Sequence, residues 1–192
     1  DLVASEWTHT GNGNVIAVES CTLGSSTGCL VYNNGQGSNI NGNEWIIHDL
    51  PDTASNDWVL EWTSVCESCN SGGGSMTPFG VGNGVESVVW FEGSNGNSGH
   101  HWFGGVHRDY TAGGSGTDDW FGTANGGSVG GTFYNRIIAS GTSWEFYSYN
   151  NADFTSLAHS ATKTGLPAAN TIDELVVQQY VHSSYSGTAK RA

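Results

Sequence analysis

Carboxylate side chains are the first residues of this chain that could carry out chemistry. A retaining glycoside hydrolase needs two of them about 5–5.5 Å apart, one as nucleophile and one as acid/base. The carboxylates on predicted strands are Glu61, Glu86, Glu92, Glu145 and Glu174. No two of them form a recognisable catalytic motif. Glu92, in the run Val-Trp-Phe-Glu-Gly, comes nearest to one. A solvated Glu at a strand end explains that run more simply, so we predict that the protein is not an enzyme.

Histidine and aspartate side chains raise the question of a metal. His101 and Asp109 would share one face of a predicted strand, but two glycines interrupt that strand, which disfavours a transition-metal site. Asp118 and Asp119 are weak candidates for calcium, which prefers oxygen ligands, although no EF-hand-like spacing surrounds them. We expect no cofactor and keep calcium as an alternative.

Three Trp-Phe pairs form an internal repeat, at 90–91, 102–103 and 120–121. Adjacent residues of a strand point to opposite faces, so only one ring of each pair can enter the core from its strand. The other ring is either covered by a second layer or exposed, where it could stack on sugars or on another subunit. The rings predicted to make such contacts are Trp90, Trp102, Phe103, Trp120 and Phe121.

The four cysteines lie in two turn-rich segments. An even number of them in an acidic chain rich in Ser, Thr and Asn favours disulfides and an extracellular setting. We predict the two local pairs, Cys21–Cys29 and Cys66–Cys69, because each closes a short loop at little entropic cost. Zinc binding and a redox-active Cys-x-x-Cys remain alternatives.

The elements that must position these residues are short strands. Only 12% of the residues are charged and 29 are Gly, which supplies turn formers rather than helices. Alternating segments between turn signals predict an all-β fold, a two-sheet antiparallel β-sandwich of the jelly-roll type. The predicted strands are 2–8, 14–19, 29–33, 44–49, 58–65, 77–81, 85–92, 100–107, 131–140, 143–149 and 172–182. The predicted core comprises Leu60, Trp62, Val89, Ile137, Phe146, Leu175 and Val177.

Length and charge limit the organisation and the partners. At 192 residues we expect a single domain, 1–192, with a short C-terminal tail, 186–192. The formal net charge of −13 would repel a phosphate backbone, so nucleic acid and an anionic membrane surface are poor partners. We also expect no membrane insertion, because no apolar run approaches the roughly 20 residues that a membrane helix needs.

Four runs stand close together in the C-terminal half: FYNRII at 133–138, SWEFYSYN at 143–150, DFTSL at 153–157 and LVVQQY at 175–180. Over 132–180 the chain thereby resembles the concanavalin A-like lectin and laminin-G-like jelly rolls of secreted microbial proteins. The resemblance implies two antiparallel strands, a short connection with an Asp-Phe-Thr segment, and a late core strand. It lies at the level of the fold and includes no diagnostic motif.

The leading functional hypothesis is a non-catalytic extracellular protein that is the repeating subunit of a surface filament, fibre or coat. Only a short tail follows the last predicted strand, 172–182, which predicts an open sheet edge that recruits another copy. We therefore expect a homopolymer with the tail, 186–192, in subunit contacts. The first alternative is a soluble lectin or carbohydrate-binding module with glycans as partners, and the second is a jelly-roll glycoside hydrolase.

Overall fold

The structure is a computed structural model, and nearly all of its regular elements are strands. It describes residues 6–10, 16–23, 26–33, 45–66, 75–76, 79–95, 100–109, 118–128, 131–178, 180–181 and 188–191. One turn of 3₁₀ helix lies at Ala169–Thr171. Within these ranges no helix is long and apolar enough to cross a membrane.

Nine strands form the first sheet, called sheet A. They are β1 (Thr8–Thr10), β4 (Trp45–Asp49), β6 (Ser75–Met76), β7 (Phe79–Gly82), β8 (Glu86–Asn95), β9 (His100–Asp109), β10 (Asp118–Ser128), β14 (Glu174–Gln178) and β15 (Tyr180–Val181). The main order across the sheet is β1-β4-β14-β7-β8-β9-β10. The short strand β6 also pairs with β8, and β15 pairs with β6. Every pairing in the sheet is antiparallel.

Seven strands form the second sheet, called sheet B. They are β2 (Ile16–Leu23), β3 (Ser26–Asn33), β5 (Asp57–Cys66), β11 (Thr132–Ser140), β12 (Ser143–Tyr149), β13 (Leu157–Thr164) and β16 (Thr188–Arg191). Their order is β13-β12-β11-β5-β16-β3-β2, again with antiparallel pairs. The two sheets enclose one main core, so the fold is the predicted two-sheet antiparallel β-sandwich of the jelly-roll type.

Strand β16 corrects the expectation of an open sheet edge at the tail. Thr188–Arg191 pair with β3 on one side and with β5 on the other. Their backbone N–H and C=O groups therefore complete ladders inside sheet B and are not free to recruit a second chain. Spacing alone did not reveal this strand because a polar four-residue run carries almost no alternation signal.

The predicted core residues are buried or partly buried. Ile137, Phe146 and Val177 are fully buried in the main cluster, and Trp62 there is 6% exposed. Val89 is also fully buried, but it belongs to a separate small cluster on the other face of sheet A. Leu60 and Leu175 are partly buried and pack against the main cluster. β11 shows why the alternation worked, because its buried and half-buried residues alternate along nearly the whole strand.

A chain of buried polar side chains crosses this core. Trp90 Nε1 donates to Ser148 Oγ at 2.9 Å, and that hydroxyl donates to Asn135 Oδ1 at 2.7 Å. Asn135 Nδ2 in turn donates to Ser64 Oγ at 2.9 Å. Trp90, Ser148, Asn135 and Ser64 thus each have a hydrogen-bond partner, which offsets the penalty of burying their polar groups.

Two strands absent from the sequence prediction, β10 and β13, meet along one side of the sandwich. His159 Nε2 lies 2.6 Å from Gly122 O, and Lys163 Nζ lies 2.6 Å from Asp119 Oδ2. Gly122 has a φ of 60°, and a Cβ there would lie 2.4 Å from the Cβ of Ala161. Only a glycine therefore allows the two edge strands to approach this closely.

Candidate functional site

The outer face of sheet B carries an exposed group of polar and aromatic side chains. On β5, β11 and β12, every second residue points away from the core, and the register places Glu61 opposite Arg136 and Arg136 opposite Tyr147. Two residues further along each strand, on the same face, Val59 and Glu145 flank Ile138. We call this surface the Arg136 face; it comprises Val59, Glu61, Arg136, Ile138, Glu145, Tyr147, Tyr149 and Phe154.

An ion pair lies at the centre of the Arg136 face. Arg136 Nη2 lies 2.6 Å from Glu61 Oε1, and Arg136 Nε donates to the same oxygen at 2.7 Å. The Arg136 side chain is 27% exposed and that of Glu61 is 45% exposed. Because both nitrogens converge on one oxygen, Glu61 Oε2 and Arg136 Nη1 have no bonded partner among the described residues. The ion pair therefore keeps one acceptor and one donor for which the described residues supply no partner.

An open groove of ≈ 410 Å³ lies over this ion pair. It is lined by Val59, Glu61, Arg136 and Ile138. Val59 is 57% exposed, although its strand β5 lies in the middle of sheet B. The groove thus combines an apolar wall with one acceptor and one donor.

Aromatic rings border the groove on the side of β12. The Arg136 guanidinium lies 4.1 Å from the centre of the Phe154 ring, in a cation–π arrangement. Phe154 meets Tyr149 edge to face, and Tyr149 stacks against Tyr147 at 5.9 Å. The rings hold the guanidinium in one orientation, which lowers the entropy cost of using it in binding.

Tyr147 is held as a neutral hydroxyl. Its OH donates to Glu145 Oε2 in a short hydrogen bond. That bond, then burial, and then the negative charge of Glu145 raise the pKa of Tyr147 from its ordinary value of 10.0 to about 12. At neutral pH the face therefore carries two carboxylates and one guanidinium.

The connection between β12 and β13 holds Phe154 in a strained backbone conformation. Phe154 has a φ of 56°, in the left-handed region that bulky residues rarely adopt. Asn151 Oδ1 stabilises this turn by accepting from the backbone N–H groups of Thr155 at 3.2 Å and Ser156 at 2.8 Å. This turn places the Phe154 ring against the Arg136 guanidinium.

Three of the five predicted contact rings were assigned wrongly. Trp90 is fully buried between Phe146 and His159, and Phe103 and Phe121 also belong to the core. The strands β8, β9 and β10 turn these rings towards sheet B, so none of them can meet a sugar or another subunit.

Trp120 is the predicted ring that the structure leaves open to solvent, with 38% exposure. It lies on the outer face of sheet A and meets Phe91 edge to face at 5.6 Å. Trp102 lies on β9, but its side chain is outside the described part of the structure. Both remain candidate contact residues.

The described residues test the metal prediction only in part and do not test the disulfide prediction. Asp119 contacts Lys163, so its carboxylate is already neutralised by a cation, while the side chain of Asp118 is not among those described. No group of three His, Cys, Asp or Glu side chains comes together in the described ranges. Both disulfides stay predictions: Cys69 lies outside the described residues, and the side chains of Cys21, Cys29 and Cys66 are not described.

Four of the five candidate catalytic carboxylates have separate neighbours. Glu86 Oε1 lies 3.0 Å from His107 Nε2, Glu61 binds Arg136, and Glu145 accepts from Tyr147. Glu174 Oε2 accepts from the backbone N–H of Gly84 at 3.1 Å, and burial raises the pKa of this carboxyl. The side chain of Glu92 lies outside the description.

The sequence prediction missed Arg136 and its neighbours as site residues. The runs at 133–138 and 143–150 supplied the resemblance, and their outward positions are the ones that build the Arg136 face. The available signal was the alternation itself, since Tyr, Arg and Tyr on the outward positions of adjacent strands are unusually rich in binding groups for a solvated face.

Comparison with known proteins supports the fold. No protein-family profile and no curated protein matches the chain. Among solved structures, the CBM2 module of the evolved Dit of Lactobacillus casei BL23 phage J-1 has a TM-score of 0.61 at 14% identity, with 100% of this chain and 89% of that chain covered.

Two further structures match over most of their length. A functionally unknown protein from Saccharomyces cerevisiae has a TM-score of 0.61 at 12% identity, with 98% and 93% covered. A glycoside hydrolase family protein from Mycobacterium thermorestibile has a TM-score of 0.52 at 14% identity, with 97% and 90% covered. At these identities the likeness shows the fold alone: like these structures, the protein is a two-sheet β-sandwich of the jelly-roll type.

Proposed function

We propose that this protein is a non-catalytic extracellular carbohydrate-binding protein and that its Arg136 face binds the glycan. The observation that carries the proposal is the groove of Val59, Glu61, Arg136 and Ile138. Its apolar wall matches the C–H face of a sugar ring, and Arg136 Nη1 and Glu61 Oε2, which bind no described residue, match sugar hydroxyls. The lectin-like fold agrees with this use.

The filament hypothesis takes second place. Its main argument was an unpaired edge at the tail, and β16 is paired on both sides. Its second argument was surplus aromatic surface, and Trp90, Phe103 and Phe121 are instead core residues. The first alternative, a soluble lectin or carbohydrate-binding module, therefore becomes the leading proposal.

The test is binding to immobilised neutral and acidic polysaccharides, with Arg136→Gln and Lys163→Gln compared with the native protein. The two cations are matched, because each pairs with a carboxylate at 2.6 Å and their side chains are 27% and 25% exposed. We expect Arg136→Gln to weaken binding about tenfold and Lys163→Gln to leave it unchanged. Native protein that binds no polysaccharide, or equal losses in the two variants, would overturn the proposal.

Two further measurements separate the alternatives. We expect no release of reducing sugar from any bound polysaccharide, whereas sustained release would indicate a hydrolase. We also expect a single small particle size in dilute and concentrated solution. Polymers that form without glycan would return the filament hypothesis to first place.

A further inference from the structure

We infer that the Arg136 face selects uncharged glycans through their hydroxyl groups and rejects glycans that carry carboxylate or sulfate. This inference rests on the proposed function of that face and names the chemical class of its ligand. The observations that carry it are the unequal use of the two Glu61 oxygens, the balance of charge on the face, and the apolar wall of the groove.

The geometry of the ion pair favours a group that both donates and accepts. Arg136 spends Nε and Nη2 on a single oxygen of Glu61, which leaves Nη1 as a donor and Glu61 Oε2 as an acceptor. Sugar hydroxyls can serve both atoms, because each hydroxyl has one O–H to donate to Glu61 Oε2 and two lone pairs to accept from Arg136 Nη1. A carboxylate or sulfate only accepts, so it offers no proton to Glu61 Oε2 and would lie beside a like charge.

The negative charge of the Arg136 face also disfavours anionic glycans. Glu61 and Glu145 oppose one guanidinium, and the whole chain has a formal net charge of −13. Tyr147 adds a neutral hydroxyl whose proton is already directed to Glu145. An anionic glycan would therefore be repelled at a distance by the molecule and at contact by Glu61.

The apolar wall provides the remaining recognition. Val59 and Ile138 lie opposite each other on β5 and β11, next to the ion pair. A pyranose ring has an apolar face of C–H groups and a rim of hydroxyls, so one ring can lie on the two side chains while its rim reaches Glu61 and Arg136. Dispersion and apolar burial do not depend on charge, so binding by this route should change little with salt.

The test compares matched pairs of polysaccharides that differ only in charge. The probes are dextran and dextran sulfate, laminarin and sulfated laminarin, and homogalacturonan in its methyl-esterified and free-acid forms. We expect the native protein to bind the neutral member of any pair it recognises at least about tenfold more tightly than the charged member. We also expect the neutral affinity to be the same at low and at high NaCl concentration.

Two variants assign the rejection to Glu61. Glu61→Gln removes the carboxylate beside Arg136, and Asp119→Asn is the control, because Asp119 is also an exposed ion-paired carboxylate and its loss changes the net charge equally. We expect Glu61→Gln to reduce the preference for the neutral member several-fold and Asp119→Asn to leave the preference intact. Thermal unfolding of both variants establishes that they are folded.

The outcomes are separable. Tighter binding of the charged member, or equal loss of preference in both variants, overturns the inference while the proposed carbohydrate binding stands. Failure of the native protein to bind any probe of either charge overturns the proposed function and the inference with it.

Discussion

The outer faces of the two sheets obey the same alternation but differ in their surroundings. On sheet A, Val89 and Phe91 are 0% exposed and Val176 is 1% exposed, although all three point away from the main core. On sheet B, Val59 is 57% exposed beside the Arg136–Glu61 ion pair. Alternation therefore shows that a residue points outwards, and only burial shows whether a ligand can reach it.

The comparison is tested most strongly by truncating one apolar side chain on each outer face. Phe91→Ala should lower the free energy of unfolding by about 3–5 kcal/mol, because it leaves a cavity where a buried ring was. Val59→Ala should change it by no more than about 0.5 kcal/mol, because that side chain already faces water. Urea denaturation measures both, and equal losses would contradict the difference between the faces.

A smaller loss of stability is expected for the buried polar chain beneath the Arg136 face. Ser148→Ala leaves Trp90 Nε1 and Asn135 Oδ1 without their shared partner, which should cost about 1–3 kcal/mol. The outward neighbours of Ser148 on β12 keep their positions, so glycan affinity should stay within about twofold of native. Calorimetric unfolding measures the stability, and a binding titration measures the glycan affinity. An unchanged stability would show that these buried hydrogen bonds contribute little.

On the outer face of sheet B, the hydroxyl of Tyr147 should contribute to stability in a way that depends on alkaline pH. Its folded pKa of about 12 lies above the ordinary 10.0, so its contribution to stability is complete below pH 10.0 and is lost as the pH rises towards 12. Tyr147→Phe should remove that part of the alkaline decline and cost about 1 kcal/mol at neutral pH. Tyr134→Phe, on the same face, is the control. Unfolding at a series of pH values would refute this if both variants followed the native curve.

The smallest effect is expected for a carboxyl on the outer face of sheet A. Burial raises the pKa of Glu174, so its contribution to stability is present below its ordinary pKa of 4.5 and is lost as the pH rises through the folded value. Glu174→Gln should therefore raise stability at neutral pH by about 0.3 kcal/mol, since solvent screens the half-buried charge. The same change at Glu61 should give no gain, because Arg136 stabilises that carboxylate. A matched loss at both positions would contradict this assignment.

The fold was predictable where one face of a strand is buried and the other is not. β11 and β12 were predicted almost to the residue, because large apolar residues alternate with polar ones in both. β13 was missed because its sequence, LAHSATKT, has few large apolar residues at alternate positions. β10 was missed because glycines break its pattern.

The candidate site was predictable only in part, because its residues come from distant strands. Alternation correctly predicted that the rings of a Trp-Phe pair diverge, but it could not say which ring enters the core. Trp90 points inwards, whereas in the pair at 120–121 the Phe does. The contact of Glu61 with Arg136 depends on the register of β5 and β11, which no local pattern encodes.

The insertion of β16 between β3 and β5 has a consequence for folding kinetics. Within the described pairings, the β2–β3 hairpin joins the rest of sheet B only through Thr188–Arg191. These residues are far in sequence from both of their partners. The long intervening segments must therefore lose conformational entropy before the hydrogen bonds of β16 can form. During synthesis, β5 keeps an unpaired edge until the ribosome has released residue 191. The step that seals sheet B is therefore late and slow, and a nascent chain that waits for it is exposed to aggregation.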